Sequence, residues 1–320
     1  MAPTAFMVNL KNKMMSGDRA VAETSAHKYI MDLVNLNDKN VFSSLKFLKD
    51  KKEEIMKSLE DYADTTKAGL LTSIVSALNQ QKDQHLYKTI HKFYSEQLRE
   101  ARAKLDGVDT SVKTDKQETN WMEWDEIKNV WNELDDEVGL FKNQKSITNK
   151  QFETLVDWVV LSLFVLTEPR RNRDYQDMAI IVKNVKADTL KLDTNYIDLQ
   201  NEQFIFNTYK TAKTYKQQVL DIPKELMDVI NIWVKHYPSL STASRKDGTV
   251  PFLVNSMGNK QNAVNYITLR LNKILGKKIG SSMLRHIYIS HKFGPVIAEQ
   301  MEVAEKMGHS IEEQKAYNKV

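Results

Sequence analysis

Tyr317 follows His309 by eight positions in the closing segment MGHSIEEQKAYNKV (307–320). A phenol on a short amphipathic stretch either packs against a neighbour or serves as a nucleophile. The histidine stands at a helix entrance, where an ordinary turn residue would also fit. TEPRRNRDYQD (167–177) sets three arginines within four positions, directly after an apolar run. Arg171 and Asp174 are three apart, so on a helix they share a face and the carboxylate can orient the guanidinium. A solvated basic turn is the plainer reading. FIFNTYKTAKTYKQQVLDIP (204–223) carries Lys210, Lys213 and Lys216 with no acid before Asp221. A lysine on a hairpin tip can reach into a groove, although strand-edge lysines also guard against aggregation. GKKIGSSMLRHIYISHK (276–292) sets Arg285 one turn from Ser282. Leu284, Ile287 and Tyr288 pack inward and leave Arg285 on another face, where a surface or ion-pair role is ordinary.

The elements that must position these residues come from a chain of 320 residues, enough for two domains of ordinary size. Charged residues make up 28% and apolar ones 41%, as expected for a soluble protein with buried cores. The net charge of +4 is no strong pointer by itself. The absence of cysteine removes disulfides and thiolate metal ligands and fits a reducing compartment. LVDWVVLSLFVL (155–166) is too short to span a bilayer and contains Asp157. The N-terminus lacks the apolar region of a signal peptide. A soluble, intracellular protein with no membrane partner is expected.

Residues 1–20 show no clear period and read as a mobile N-terminus. From 21 to 106 the pattern is helical, with Ala26, Tyr29, Ile30, Leu33 and Val34 on one face of the first helix. No proline falls between Pro3 and Pro169. This region predicts a bundle of four or five helices. Residues 107–118 are polar and turn-rich and read as a linker. The second domain, 119–320, predicts a central helix over 150–166, apolar nearly all round. A strand over 178–183 follows, and then a hairpin turning at Asn201 and Glu202. QQVLDIP returns as a third strand. The remainder is helical, with Ser281 as a cap, a break at Gly294 and Pro295, and Ser310 with Glu313 as a capping box for the last helix. The fold class is mainly α with a small antiparallel β-sheet.

In this order, RRNRDY, YKTAKTYKQQVLDIP, SSMLRHIYIS and MGHSIEEQKAY resemble the tyrosine recombinase (phage integrase) family. The likeness covers residues 119–320. The helical part before them is similar, less specifically, to that family's core-binding domain. EPRRNRDY with YKTAKTY looks most like the recombinases of large DNA viruses, virophages and giant transposons. The resemblance implies a helical core-binding domain plus an α+β catalytic domain.

It also implies a DNA strand transferase that needs neither metal nor nucleotide cofactor. A tyrosine oxygen attacks a phosphodiester and leaves a 3′-phosphotyrosyl link and a free 5′-hydroxyl, so the bond energy is kept. By resemblance, Arg171 and Arg285 would stabilise the extra negative charge of the transition state. His309 would donate to a non-bridging oxygen, and Tyr317 would be the nucleophile. A hairpin lysine would protonate the leaving 5′-oxygen. Lys210 is favoured because FIFNTYK runs as a strand into it, and Lys213 is the close rival. Asp174 would support the site. Arg170, Arg173, Lys216, Lys277 and Lys278 would contact DNA phosphates, with Lys46, Lys49, Lys51 and Lys52 contributing from the N-terminal helices.

Two departures stand out. The family usually places histidine three residues before the second arginine, where this chain has Ser282; His286 is a substitute to consider. The spacing of eight from His309 to Tyr317 is one less than is common, which turns the tyrosine by roughly 100° on a helix.

The expected partners are double-stranded DNA and further copies of the chain, a tetramer on DNA. Only Asn318, Lys319 and Val320 follow Tyr317, so subunits would need contacts other than a tail. A type IB topoisomerase would share the catalytic residues but act as a monomer. A non-catalytic DNA-binding protein of the same fold is the third reading. The helical N-terminal domain favours the recombinase.

Overall fold

In the computed structural model of the chain, the described residues are 2–16, 19–81, 85–108, 112–182, 190–238, 240 and 248–317. The fold is mainly helical and holds one small five-stranded sheet. The chain divides into two compact units, residues 1–112 and 113–320.

The first unit contains α1 (Ala5–Met14), α2 (Glu23–Leu36), α3 (Phe47–Asp50), α4 (Lys52–Glu60), α5 (Asp64–Asn79) and α6 (His85–Asp106). Residues expected to be mobile form α1. Thr4 caps it by accepting from the Met7 amide at 3.2 Å. Met7, Leu10 and Met14 then recur at one helical face and are buried among Ile30, Leu33 and Leu71. The three buried positions are masked in the sequence because exposed Ala5 and Val8 and half-buried Phe6 are apolar too and blur the period. Tyr94 lies wholly inside this core, where its hydroxyl donates to the Leu48 carbonyl at 3.0 Å.

The second unit opens on α7 (Asp115–Asn120), inside the stretch expected to be an irregular linker. Thr114 and Gln117 cap each other's backbone groups there, which a polar composition conceals. Residues 109–111 of that linker lie outside the described residues. α8 (Trp124–Gly139) packs on α9 (Asn149–Val165), whose residues 155–164 are all buried. A carboxylate in such a helix must be paired. Asp157 meets Arg270 Nε at 3.2 Å and Lys273 Nζ at 2.8 Å, both from α13 (Tyr266–Leu275).

The strands are β1 (Ala179–Ile181), β2 (Tyr196–Asp198), β3 (Gln203–Phe206), β4 (Gln218–Asp221) and β5 (Thr249–Pro251), in the order β4-β3-β2-β1-β5. The sheet is mixed rather than antiparallel, because β1 and β2 run parallel. The predicted hairpin is present as β2 and β3. Its turn is built by Asp198, whose carboxylate accepts from the amides of Gln200 and Asn201 at 3.0 and 3.1 Å. Glu202 closes the turn at φ 54°. Lys183, the last residue of the strand expected over 178–183, lies outside the described residues.

The remaining helices are α10 (Asn172–Gln176), α11 (Ala212–Tyr215), α12 (Lys224–Lys235), α14 (Ser281–Met307) and α15 (Ile311–Tyr317). The expected break at Gly294 and Pro295 is absent, and α14 runs unbroken for 27 residues with Pro295 inside it. A proline in a helix interior removes one hydrogen bond but need not end the helix. The cap of α14 is Gly280, not Ser281. Gly308, at φ 72°, ends α14 in the left-handed conformation that glycine favours. Ser310 then accepts from the Glu313 amide at 3.1 Å and starts α15. Among the described residues, no helix is long and apolar enough to cross a membrane.

Candidate active site

Arg170, Arg171 and Arg285 line one cavity of about 230 Å³ with Pro169, Asp174, Tyr209, Thr211, Tyr215 and Gln218. Three guanidinium groups thus face one carboxylate. Pro169 and the extended backbone of Arg171 lead from the end of α9 into α10, so both arginines hang on a rigid buried element. Arg285 comes from the second turn of α14 and donates to the Ser281 carbonyl at 3.4 Å. Burial holds Arg285 below its ordinary pKa, and the neighbouring charge of Arg171 adds to that. An arginine does not give up its proton, so an anion in the cavity would relieve this cost.

Asp174 does not orient Arg171, as the helical spacing suggested. It holds Arg170, whose Nε donates at 3.0 Å. The Arg170 guanidinium also donates to Gln218 Oε1 at 3.0 Å and lies 3.8 Å above the Phe206 ring. The Asp174 side chain is 3% exposed. Burial pushes its carboxyl above the usual carboxylate pKa, with Arg170 pulling the other way. Arg170, expected to be a free phosphate contact, is therefore packed and paired at the cavity wall. Arg171 makes no side-chain hydrogen bond or ion pair among the described residues and is the arginine left for a ligand.

Two asparagines that the sequence reading missed set the register of the site. Asn172 donates from Nδ2 to Thr268 Oγ1 at 2.6 Å, and its amide donates to Ser281 Oγ at 3.3 Å. This ties the Arg171 segment to the start of the helix that carries Arg285. Asn195, almost fully buried, uses its whole amide. Nδ2 donates to the carbonyls of Asp174 and Thr208, each at 2.9 Å, while Oδ1 accepts from the amides of Asn207 and Thr208 at 2.9 and 2.8 Å. It joins the arginine segment to the strand end that leads to the lysines. An asparagine beside a strand carries no motif, so only the buried position reveals it.

The lysine segment is the connection of a hairpin, as expected, and joins the antiparallel strands β3 and β4. β3 ends at Phe206, so no strand runs into Lys210. Lys210 sits in a turn, and Lys213 sits in the short helix α11. Both are exposed, and Tyr209 and Thr211 on either side of Lys210 line the arginine cavity. Lys216 follows at φ 59°, its carbonyl accepting from the Tyr209 hydroxyl at 2.7 Å.

His309 and Tyr317 form a second cluster. Their rings lie 5.6 Å apart. His309 Nδ1 meets the Ser310 carbonyl at 3.2 Å, and Nε2 has no hydrogen-bond partner among the described residues. This pair does not line the arginine cavity. From Arg285 to the end of α14 at Met307 the helix rises about 33 Å, at 1.5 Å per residue.

Ser282 and His286 are exposed on α14, and neither lines the cavity. Arg173 is exposed on α10. The Lys277 ammonium donates to the Trp121 carbonyl at 2.7 Å, and the Lys278 amide to Asn120 at 2.9 Å. In the first unit, Lys46 pairs with Asp50 at 3.5 Å and Lys51 with Asp38, and Lys52 lies 4.9 Å from the Phe93 ring centre. Among the described residues, no group of three His, Asp or Glu side chains is arranged to hold a metal ion. Asn318, Lys319 and Val320 lie outside the described residues.

Comparison with protein-family models, with curated proteins and with solved structures finds no match for this chain.

Proposed function

We propose that the chain is a site-specific DNA recombinase of the tyrosine type, which cuts and rejoins double-stranded DNA through a 3′-phosphotyrosyl intermediate. One observation carries this reading: Arg171 and Arg285, far apart in sequence, share a cavity beside the turn that holds Lys210. Two guanidinium groups with one paired carboxylate behind them suit a phosphodiester, whose attack adds negative charge to the non-bridging oxygens. On this reading residues 119–320 form the catalytic domain, and the helical first unit is the core-binding domain.

In the reaction, the Tyr317 hydroxyl oxygen forms a bond to phosphorus and the bond from phosphorus to the 5′-oxygen breaks. The tyrosine gives its proton to a water molecule. Lys210, or Lys213, gives one to the departing 5′-oxygen. His309 donates to a non-bridging oxygen. Rejoining is the reverse, with a 5′-hydroxyl as the attacking group, so no external energy source is needed. Arg173, Lys216 and Lys278 are exposed cations suited to phosphate contacts away from the reacting bond. The separation of Tyr317 from the cavity favours an enzyme that works as an assembly over a topoisomerase acting as a monomer.

The test uses a pool of nicked, random-sequence duplexes in EDTA. A nick close to the cut lets the short strand carrying the 5′-hydroxyl diffuse away and traps the adduct. Wild type should yield SDS-resistant protein–DNA adducts. Arg171→Ala and Arg285→Ala should each retain DNA binding and lose roughly a hundredfold to a thousandfold in adduct formation. Variants that bind and cleave at the wild-type rate would refute the reading.

A further inference from the structure

The arginine cavity has two chemically different sides. Arg171 and Arg285 supply one, beside the buried Asp174 carboxylate that Arg170 already holds. Tyr209, Thr211 and Tyr215 supply the other, all from the connection between β3 and β4. A lone phosphate needs only the first side, and at about 230 Å³ the cavity is larger than a phosphate group requires. The two tyrosines differ in what they are free to do. The Tyr209 ring lies 5.3 Å from the Arg170 guanidinium, and its hydroxyl donates to the Lys216 carbonyl at 2.7 Å. Tyr209 is therefore committed to the fold. Tyr215, the last residue of α11, is 64% exposed, whereas an aromatic ring is ordinarily well buried. Its side chain has no hydrogen bond and no ring contact among the described residues.

The backbone around Tyr215 is nonetheless held firmly. The Tyr215 amide donates to the Thr211 carbonyl at 3.1 Å, and the Lys216 amide donates to the Ala212 carbonyl at 2.8 Å. Lys216 then takes φ 59° and ψ −161°, a conformation that residues with a side chain rarely adopt. The Tyr209 hydroxyl pins the carbonyl of that strained residue, and Gln218, two positions on, accepts from Arg170 at 3.0 Å. The chain beside Tyr215 is thus tied to the cavity wall while the ring stays bare. Lys210 and Lys213 are exposed on the same turn. Across the cavity, Arg171 and Arg285 have no carboxylate partner among the described residues. A bare ring among cations, facing two such guanidinium groups, suits a nucleotide: phosphate oxygens for the arginines and a flat apolar base for the tyrosine.

Resting on the recombinase reading, we infer that Tyr215 receives the base of the nucleotide whose phosphate Arg171 and Arg285 hold. The base leaves the stack of the duplex and lies on the Tyr215 ring. Stacking on one ring reads no pattern of hydrogen-bond donors and acceptors, so the contact selects for ease of unstacking rather than for one base. Pyrimidine–purine steps, which open most readily, are then the favoured positions for the cut. Tyr215 is a binding residue in this account and takes no part in the transfer of the phosphoryl group.

The test compares two short single strands of equal length and charge, an oligothymidylate and an abasic deoxyribose-phosphate strand, by fluorescence anisotropy at fixed salt. The full chain should bind the oligothymidylate more tightly by roughly fivefold to a hundredfold, the contribution of one stacked base. Tyr215→Leu should lose most of that preference and leave the affinity for the abasic strand unchanged. Tyr215→Phe keeps the ring and should keep the preference. The position is exposed, so both variants should fold as wild type does, which circular dichroism checks. Arg171→Ala should weaken binding of both strands. Equal binding of the two strands by wild type, or a preference that Tyr215→Leu leaves intact, overturns the stacking role. The strand-transfer reading is scored separately, by SDS-resistant adducts from wild type on nicked duplexes. Adducts without a Tyr215-dependent preference would remove Tyr215 and leave strand transfer standing. A Tyr215-dependent preference without adducts would remove strand transfer and leave the nucleotide site standing.

Discussion

Arg170 donates from Nε to Asp174 Oδ2 at 3.0 Å, and both side chains are largely removed from solvent, at 20% and 3% exposure. The pair forms one wall of the arginine cavity, with Phe206 beneath the guanidinium. Its consequence is a division of labour. Arg170 neutralises the carboxylate, which leaves Arg171 and Arg285 uncompensated for an anion.

Removing Arg170 strands a buried carboxylate. Arg170→Ala should destabilise the second unit by about 3 kcal/mol. Arg170→Lys should fall between, since an ammonium keeps the charge but loses the flat stack on Phe206. Urea unfolding followed by tryptophan fluorescence measures this cleanly. All five tryptophans, Trp121, Trp124, Trp131, Trp158 and Trp233, lie in residues 113–320.

The burial of Asp174 gives a pH signature. Its folded pKa is raised above the ordinary 3.8, so the folded state takes up the proton more readily than the unfolded chain. Its stabilising contribution is full below the unfolded value and is lost as pH rises through the folded one. Asp174→Asn has no such loss. The variant should therefore gain on wild type in thermal stability as the pH rises from below 3.8 through the acidic range. A gap that stays constant across that range would show that the carboxyl titrates as it does in the unfolded chain.

Several elements around this cavity were readable from residue types alone, and the reasons differ by residue. The buried helix before the arginines, the hairpin and the two turns around Gly308 were legible because apolar period and turn chemistry are local. The partner of Asp174 was not. At the start of a five-residue helix, spacings of three and four both reach it, and the stack on Phe206 decides for Arg170. The continuity of α14 was hidden by Gly294 and Pro295, which mark a break in most sequences. The parallel pairing of β1 and β2 is a long-range choice that neither strand encodes.

Asn195 is the residue whose loss should affect geometry most. Asn195→Ala removes four hydrogen bonds from a buried amide and leaves backbone groups at Asp174, Asn207 and Thr208 short of partners. A loss of about 2–3 kcal/mol is expected. Adduct formation should fall with it even where the protein stays folded, because the lysine turn is no longer tied to the arginine segment. A variant with wild-type stability and activity would remove Asn195 from its positioning role.

The Asp157 network should behave as a buried ion pair. Arg270→Leu leaves Asp157 with Lys273 alone and should cost about 3 kcal/mol. Adding Asp157→Leu should recover part of that loss, since an apolar pair needs no desolvated charge. A double-mutant cycle by urea unfolding reads the coupling directly, and strictly additive losses would contradict it.

On the proposed function, Tyr317 becomes joined to DNA at a site made by Arg171 and Arg285. Its most direct test is peptide mapping of the SDS-resistant adduct formed in EDTA, by mass spectrometry after nuclease digestion. A nucleotide attached through its 3′-phosphate to the Tyr317 oxygen is expected, and no adduct from Tyr317→Phe. Attachment at another residue, an adduct that persists in Tyr317→Phe, or cleavage only when a divalent metal is added would contradict it.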